Sequence, residues 1–545
     1  MGGRSRRGYR SSLRSSGALD LDGGKGLAAV ADPLVSAWLG AFQPGGEGGD
    51  TALGRGPGRV LVGRPWPIAA RPRILRARGE VWQITPSPRG HAAVGLPLTI
   101  NPRATSLPDP LLLRGPKEPF AFDANAATLE FLTEGCAEYG DLWAIPPTGG
   151  AESATGGGGL PIWVLNDPEA IHHVLTKRQP NYGKGVGFER VKMLLGDGLI
   201  VSDGEHWKKR RRMLQPAFSR PSVGAMRGLV SECIEDRAHV WEAHAESGEP
   251  LDVSEEANGL GLRIILRAIF GEDLARLDDR PDGNPFNLVV ETRERDLVFA
   301  MRFRQLWPIV REMIELRRAK LSPGETPRDF LGLYMAARSR DTGDALDMEG
   351  LVDELMTLLV AGHETTAATL AWAWSLLARH PEIQNDLRAE VRRESARPPG
   401  ESKSELALKV IHETLRLYPP VWLFTRQALE DDVLAGRPIP AGTQILLSPF
   451  LLHRRRDLWE EPGDFRPGRF TAAGVPAHRS AYIPFSSGPR RCAGDVFALD
   501  TVVQGISWGV SRYHLTAPTP EAPALDPGVN LRSLEPIRLH VRPAL

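Results

Sequence analysis

Cysteine is scarce in this 545-residue chain, and neither sign of charge is in excess. The three cysteines, Cys136, Cys233 and Cys492, are far apart, odd in number and without a CxxC spacing. This pattern argues against a disulfide framework and against a zinc site, and it favours a reducing, cytoplasmic location. The 67 basic residues equal the 67 acidic ones, so we do not expect a nucleic-acid binder held by phosphate contacts. Long apolar runs are also missing, and the sequence therefore predicts no membrane span.

The N-terminal part of the chain lacks sustained hydrophobic periodicity. Residues 1–105 are rich in Gly, Arg and Pro, and only the short stretch "RPRILRARGEVWQIT" shows a pattern. Such a composition cannot bury enough apolar surface to fold alone. We therefore predict a disordered extension over residues 1–105, either a genuine tail or the product of a start codon assigned too far upstream.

From residue 106 onwards the pattern is that of a packed domain. Two strand-like segments, "DLWAI" and "PIWVLND", flank a Gly-rich insert that predicts an elongated hairpin loop. Amphipathic helical runs follow between residues 205 and 395. The sequence predicts a single, mostly helical domain with a small β lobe (α+β) over residues 106–545.

The segment "FSSGPRRCAG", residues 485–494, places the third cysteine directly before a helical run. Cys492 could be a free core thiol, a nucleophile or an axial thiolate ligand of haem iron, but no local signature supplies the base that a nucleophile needs. Free N–H groups at the helix start can stabilise a thiolate. Gly488 and Gly494 let the backbone lie flat under a macrocycle. Phe485 can cover the sulfur and Arg490 can reach a haem propionate, so the neighbours favour the haem ligand.

A second polar pattern lies in the apolar run "LVAGHETTAATLAW". Glu364 beside Thr365 could be a polar notch in a buried helix face, or it could be part of a proton path. Reduction of O₂ consumes protons, and these must cross an apolar pocket. A hydrogen bond from Thr365 to the carbonyl of Ala361 would loosen the helix and leave room for oxygen and water beside Gly362. Glu364 could then relay protons from solvent.

These two motifs resemble the signatures of the cytochrome P450 family of haem-thiolate monooxygenases. The family's ligand loop reads Phe-x-x-Gly-x-Arg-x-Cys-x-Gly, and its central helix carries Ala/Gly-Gly-x-Asp/Glu-Thr; the chain fills every specified position of both. The resemblance covers roughly residues 106–545 and is closer to the fatty-acid and eukaryotic-type branches than to the camphor-type bacterial branch. It implies the cytochrome P450 fold, haem b (iron protoporphyrin IX) as the cofactor, and Cys492 as its axial ligand.

The resemblance also implies a structural triad. Taken alone, "HETLRLYPP" would suggest a surface ion pair between Glu413 and Arg416. In the family, such a pair meets an arginine from a later Pro-x-Arg-Phe segment, here Arg469, and the three residues lock the core behind the haem loop. Gly468 stands where the family often has Glu, at a position outside the triad.

Basic residues are concentrated in "GEHWKKRRRMLQPAF", which taken alone is typical of a solvated helix face. The resemblance implies that Trp207 and Arg211 contact one haem propionate and that Arg426 contacts the other. The four remaining positive charges of this segment are expected to face a redox partner: Lys208, Lys209, Arg210 and Arg212.

The predicted reaction is insertion of one oxygen atom from O₂ into an apolar substrate such as a fatty acid, terpenoid, steroid-like molecule or polyketide. Electrons are expected from a separate ferredoxin- or flavodoxin-type partner with its NAD(P)H reductase, and the chain is expected to be a monomer. The loop around residues 182–200 and five apolar residues are predicted to line the substrate pocket: Leu358, Ala361, Trp422, Leu423 and Phe424.

Two alternatives to this function stay open. A peroxide-driven haem-thiolate enzyme would need no partner, but the pair Glu364–Thr365 argues against it, because peroxide already brings the protons. A non-catalytic haem-thiolate sensor or carrier would have no use for that pair.

Overall fold

The computed structural model describes most of the chain from residue 113 onwards. The described residues are two N-terminal strands, Arg73–Ala77 and Glu80–Ile84, and the ranges 113–120, 122–147, 159–291, 297–320, 326–395, 404–471, 474–476 and 478–544. All of them belong to one compact unit, Arg71–Leu545. Most of the predicted N-terminal extension and of the predicted hairpin loop lies outside the described residues.

Helices form the main body of the fold. In chain order they are α1 (Ala126–Tyr139), α2 (Pro168–His172), α3 (Phe188–Leu195), α4 (Gly204–Leu214), α5 (Arg220–Glu235), α6 (Ala238–Ser247), α7 (Val253–Phe270), α8 (Ala275–Asp278), α9 (Leu288–Glu291), α10 (Leu297–Arg304), α11 (Leu306–Lys320), α12 (Phe330–Ala336), α13 (Met348–Arg379), α14 (Pro381–Ser395), α15 (Glu405–Leu417), α16 (Pro449–Leu452) and α17 (Asp495–Arg512). A π-helical turn spans His173–Lys177. Short 3-10 turns lie at Gln179–Asn181, Gln215–Phe218, Gly271–Leu274, Pro285–Asn287, Pro467–Arg469, Arg479–Ala481 and Gly488–Arg490.

The strands are short, with two to six residues each. They are β1 (Arg73–Ala77), β2 (Glu80–Ile84), β3 (Leu142–Ile145), β4 (Ile162–Leu165), β5 (Tyr182–Lys184), β6 (Leu251–Asp252), β7 (Phe424–Ala428), β8 (Asp432–Leu434), β9 (Arg437–Ile439), β10 (Gln444–Leu447), β11 (Tyr513–Thr516), β12 (Leu525–Pro527), β13 (Leu531–Ser533) and β14 (Arg538–Pro543). A five-stranded sheet has the order β3-β4-β10-β7-β5, with β4 and β10 parallel and the other neighbours antiparallel. A three-stranded sheet has the order β11-β14-β6, and three antiparallel pairs complete the set: β1-β2, β8-β9 and β12-β13.

Helix α13 runs through the centre of the hydrophobic core. Asp347 caps its N-terminus by accepting a hydrogen bond from the N–H of Gly350, and Glu349 adds a favourable negative charge to the first turn. The helix ends at Arg379 because Pro381 disfavours helical geometry at the residue before it. Between residues 350 and 378 it is buried except at residues 360–362 and 364–365, which are half-buried.

The predicted fold class is confirmed: the molecule is mostly helical with a small β lobe. The segments "DLWAI" and "PIWVLND" contribute β3 and β4, which pair antiparallel as expected. The pair β1-β2 falls in the one patterned stretch of the N-terminal extension, and at these two strands the structure differs from the predicted disorder. Elsewhere the extension and the boundary at residue 106 stay predictions.

Candidate active site

The cysteine loop is held in its shape by two residues with left-handed backbone. Ser486 and Gly488 have φ values of 58° and 68°. At Gly488 a Cβ would overlap the carbonyl oxygen of Leu175, so only glycine fits this close approach. The N–H of Cys492 donates to the carbonyl of Phe485 at 2.9 Å and closes the loop on itself. The loop therefore presents the cysteine in a defined position before α17.

Among the three cysteines, Cys492 is the exposed one. Burial of the surrounding loop raises the pKa of its thiol, while the N–H of Gly494 and the charge of Arg211 lower it. The N–H donor at the start of α17 is thus beside the sulfur, as predicted. A Cβ at Gly494 would have Phe218 as its nearest neighbour at 3.7 Å, which is ordinary contact, so protein packing does not require glycine there.

The side chains predicted to contact haem propionates around this loop form two groups, one with Trp207 and Arg490 and one with Arg211. The guanidinium of Arg490 lies 4.1 Å from the ring centroid of Trp207. It pairs with the carboxylate of Asp203 and donates to the carbonyl of Ser202 at 3.1 Å. Arg211 lies instead on the thiol side: burial lowers the pKa of its guanidinium, and the nearby thiol of the cysteine raises it. The structure brings Trp207 to Arg490 and Arg211 to Cys492.

A third group of cations lies where β5 pairs with β7. Lys184 is opposite Arg426 in this pairing. The Arg426 side chain is buried, donates to the carbonyl of Thr425 at 2.7 Å, and has its pKa lowered to about 10 by burial. Burial and the charges of Arg426 and Arg490 hold the pKa of Lys184 well below its usual range. Within the described ranges, no carboxylate pairs with Lys184 or Arg426. The nearby carboxylate of Asp203 pairs with Arg490 and accepts a hydrogen bond from the backbone N–H of Lys184, and it forms no ion pair with the side chain of Lys184 or Arg426 among the described residues.

The half-buried part of α13 carries the predicted polar motif. Thr365 Oγ1 donates to the carbonyl of Ala361 at 2.7 Å, which confirms the predicted hydrogen bond. Thr369 Oγ1 makes the same kind of bond to the carbonyl of Thr365 one turn later, at 2.8 Å. Glu364 Oε2 accepts a hydrogen bond from Asn530 Nδ2 at 2.7 Å. The acid and the alcohol therefore lie on the only stretch of α13 that is open within its buried, described interior.

The glycine of this motif lies against the end of a side chain on a neighbouring helix. A Cβ at Gly362 would lie 2.6 Å from Cδ1 of Ile265 on α7, which is closer than side chains approach each other. Its predicted role beside O₂ and the haem stays a prediction.

The five residues predicted to line the substrate pocket differ in exposure. Leu358 is almost buried, at 9% exposure, and Ala361 is half-buried. Trp422 is 1% exposed and its Nε1 donates to the carbonyl of Gly528 at 2.9 Å, whereas Leu423 and Phe424 are half-buried. Trp422 therefore supports the hairpin β12-β13 with an indole that is itself packed away from solvent.

The structural triad forms as the resemblance implies. Arg416 donates to Glu413 through Nε at 2.7 Å and Nη2 at 2.8 Å, and Arg469 Nε donates to the same carboxylate at 2.9 Å. Glu413 and Arg416 are fully buried, and Arg469 is nearly so. The side chains hold together α15 and the segment that leads to the cysteine loop.

The predicted redox-partner face needs one correction: Arg210 turns inward, whereas Arg212 is exposed and forms its ion pair at the surface. Arg210 Nη1 lies 3.0 Å from the buried carboxylate of Glu354 on α13, and Arg212 pairs with Asp341 at 2.9 Å. A charge run on a helix cannot by itself show which side chains turn inward. Lys208 pairs with its exposed neighbour Glu205 on the same helix, and Lys209 is exposed.

The chain is similar to known proteins in both sequence and fold. The family model described as "Cytochrome P450" matches residues 155–307 and 298–533. The chain belongs to the cytochrome P450 family. It is 31% identical over 377 residues to cyclooctatin synthase of Streptomyces melanosporofaciens, covering 66% of this chain and 81% of the relative. It is 35% identical over 373 residues to cyclooctat-9-en-7-ol 5-monooxygenase of the same organism, covering 64% and 79%. The crystal structure of the cytochrome P450DA haem domain is similar with a TM-score of 0.62 and 25% identity, over 74% of this chain and 90% of that chain.

A cytochrome P450 carries a haem-thiolate cofactor, and the residues present fit one. Haem has two carboxylates, and Lys184, Arg426 and Arg490 form a cluster of basic side chains. Among the described residues, no carboxylate forms an ion pair with Lys184 or Arg426, so these two are available to a haem carboxylate. The exposed thiol of Cys492 is available as the axial ligand.

Sequence reasoning missed two residues of this cytochrome P450 site. Lys184 is recognisable only through the pairing of β5 with β7, and no local motif marks it. Asn530 lies 166 residues from Glu364 in sequence, in a hairpin whose contact with α13 no periodicity reveals. None of the described helices is long and apolar enough to cross a membrane.

Proposed function

We propose that this cytochrome P450 hydroxylates a cyclic terpenoid, using haem b and electrons from a separate ferredoxin- or flavodoxin-type protein. The hydrogen bond from Thr365 to Ala361, on the half-buried stretch of α13 beside Glu364, carries the proposal that it is a monooxygenase. A carrier or sensor has no need for a polar opening in an otherwise buried helix. The terpenoid class rests on the two Streptomyces relatives, which are named for cyclooctatin and cyclooctat-9-en-7-ol.

In the net reaction a substrate C–H bond becomes C–OH, and O₂ supplies both oxygen atoms. Two electrons and two protons are consumed, and the second oxygen atom leaves as water. When bound, the haem supplies the iron at which O₂ is activated, with electron density donated by the Cys492 thiolate. Arg426, Arg490 and Lys184 would hold its two carboxylates.

The chain's own residues manage the protons. Glu364 is half-buried, so its carboxylate can exchange protons with water and pass them toward the pocket. Thr365 donates its hydroxyl hydrogen to the carbonyl of Ala361, and its hydroxyl oxygen can accept a hydrogen bond from water. Apolar neighbours such as Leu358 exclude other water from the pocket.

The redox partner is proposed to dock next to the cysteine loop. A cleft of about 640 Å³ lies there, lined by Trp207, Lys208, Arg211, Arg212, Gln215, Pro216, Ser219, Arg340 and Pro489. Its charged rim is basic, which suits an acidic ferredoxin or flavodoxin. Because Pro489 belongs to the loop of Cys492, electrons entering here would have a short path to the cofactor.

Reconstitution tests the proposal. The purified protein is supplied with NADPH, a surrogate ferredoxin and its reductase, and offered cyclooctat-9-en-7-ol, lauric acid or testosterone in parallel. We expect a product one oxygen atom heavier from the terpenoid, detected by mass spectrometry. Product from lauric acid or testosterone alone would contradict the terpenoid class, and product with hydrogen peroxide but not with NADPH would favour the peroxide-driven alternative.

A matched pair of variants tests the proton path. Thr365→Ala should keep haem and substrate binding but divert electrons to hydrogen peroxide, because its oxygen no longer holds water in the opening. Thr369→Ala removes the same type of hydrogen bond one turn later, inside the buried part of α13, and should leave coupling unchanged. Equal coupling in both variants would mean that Thr365 only packs.

A further inference from the structure

The tip of hairpin β12-β13 reaches the predicted proton relay. Asn530, at 7% exposure, donates from Nδ2 to Glu364 Oε2 at 2.7 Å. An ionised carboxylate accepts hydrogen bonds only, so the amide must turn its NH₂ end toward the acid. The preceding residue, Val529, is 68% exposed. The hairpin therefore has an exposed apolar tip and, next to it, a buried polar side chain directed at the acid of α13.

The residues on both sides of this asparagine are fixed by hydrogen bonds. The carbonyl of Gly528 accepts from Trp422 Nε1 at 2.9 Å. The N–H of Leu531 donates to the carbonyl of Pro420 at 2.9 Å, and its own carbonyl accepts from Trp372 Nε1 at 3.2 Å. Two of these anchors come from the segment after α15, and the third comes from α13 itself. The position of Asn530 is thus set by these hydrogen bonds to the residues on either side of it.

We propose that Asn530 is a positioning residue for the proton relay: its amide holds the carboxylate of Glu364 in one orientation, so that the acid takes up and releases protons from a fixed place. This inference rests on the proposed monooxygenase function. A neutral amide suits the task, because it orients the carboxylate without adding a charge that would trap it in its ionised form. The same bond links the relay to the hairpin, so a ligand that displaces the hairpin also displaces Glu364.

Four variants test the role of Asn530. Asn530→Ala removes the donor, and Asn530→Asp keeps the shape of the side chain but replaces the donor with an acceptor. Glu364→Gln removes the acid, and the double variant Asn530→Ala/Glu364→Gln tests whether Asn530 acts through it. Val529→Ala is the matched control on the same hairpin tip, because it shortens the exposed neighbour and leaves the asparagine in place.

Two measurements are made on each haem-loaded protein. The first is the hydrogen peroxide recovered per NADPH oxidised with the surrogate ferredoxin system and cyclooctat-9-en-7-ol as the probe. The second needs no turnover: it is the infrared C–O stretching band of the reduced, CO-bound protein, which reports the polarity of the pocket beside Glu364. A residue that only packs would not change either reading when it is replaced by its isostere.

We expect Asn530→Ala and Asn530→Asp to raise the peroxide ratio at least about threefold, a small part of the 10²–10⁴ that a general acid contributes in full. Both should shift or split the infrared band, and Val529→Ala should match the wild type. The double variant should equal Glu364→Gln alone, because the asparagine acts through the acid.

The outcomes separate this inference from the proposed function. Wild-type coupling and an unshifted band in Asn530→Asp, while Glu364→Gln changes both, would refute the role of Asn530 and keep the relay. No effect of Glu364→Gln would refute the relay and the inference together. If the wild type oxidises no terpenoid, the substrate class fails, yet the peroxide ratio and the infrared band still decide the role of Asn530.

Discussion

Removing Arg416 from the buried triad should destabilise the fold by about 3–5 kcal/mol and cause loss of haem. The side chain is fully buried and donates two hydrogen bonds to Glu413. It also donates to the carbonyls of His453, Pro462 and Asp464, at 2.9, 2.7 and 3.0 Å. Arg416→Ala leaves a buried carboxylate that has lost its bidentate partner and three carbonyls that have lost a donor. Both kinds of defect carry a desolvation penalty that no surface rearrangement removes.

The matched control is Lys409→Ala on the same helix, α15. Lys409 pairs with Glu405 at 2.6 Å, but the carboxylate side chain is 77% exposed. We expect this variant to lose no more than about 0.5 kcal/mol. Urea unfolding followed by tryptophan fluorescence gives the free energies, and the absorbance of bound haem gives its retention. A loss in Arg416→Ala below about 1 kcal/mol, or equal to that of the control, would refute the structural role of the triad.

The remaining predictions concern the partner face, the thiol and the N-terminal extension. Lys208→Glu with Lys209→Glu should leave the haem spectrum intact and slow reduction by an acidic ferredoxin, most at low salt; unchanged stopped-flow reduction rates would place the partner elsewhere. Although Cys492 is exposed, desolvation by the surrounding loop raises the pKa of its thiol, so in the haem-free protein it should react with iodoacetamide more slowly at pH 8 than a free thiol and faster as the pH rises. Haem should block the reaction, and a rate at pH 8 equal to that of a free thiol, measured by mass spectrometry, would contradict this prediction. We propose that residues 1–105 are dispensable, so forms starting at residues 71 and 106 should both bind haem; loss of haem only in the shorter form would show that β1-β2 belongs to the fold.

Much of the site could be predicted because its chemistry requires fixed local spacings. Thr365 can bond to Ala361 because residues four apart face each other on a helix, so the motif itself determines the geometry. The motif marked Gly488, but the reason that the structure gives for this glycine, the carbonyl of Leu175 in the place of a Cβ, depends on a distant segment and was not predicted. Glu413 and Arg416 share one helical face, and only their partner Arg469 required the resemblance.

The parts that could not be predicted depend on contacts between distant segments. Arg210 turns inward to Glu354 on α13, although its neighbours in the same charge run stay at the surface. Lys184 joins the cationic cluster because β5 pairs with β7. Asn530 meets Glu364 only after the hairpin β12-β13 has packed on α13. In each case the local sequence is compatible with several environments, and tertiary packing selects one of them.

The most direct test of the central claim is the absorbance spectrum of the reduced protein with CO. In the wild type, binding of the haem iron by the thiolate of Cys492 should shift the Soret band strongly to the red. Cys492→Ser should still fold, because its hydroxyl fits the same loop, and should lose that shifted band. A red-shifted band that persists in Cys492→Ser would show that another residue binds the iron and would contradict the account.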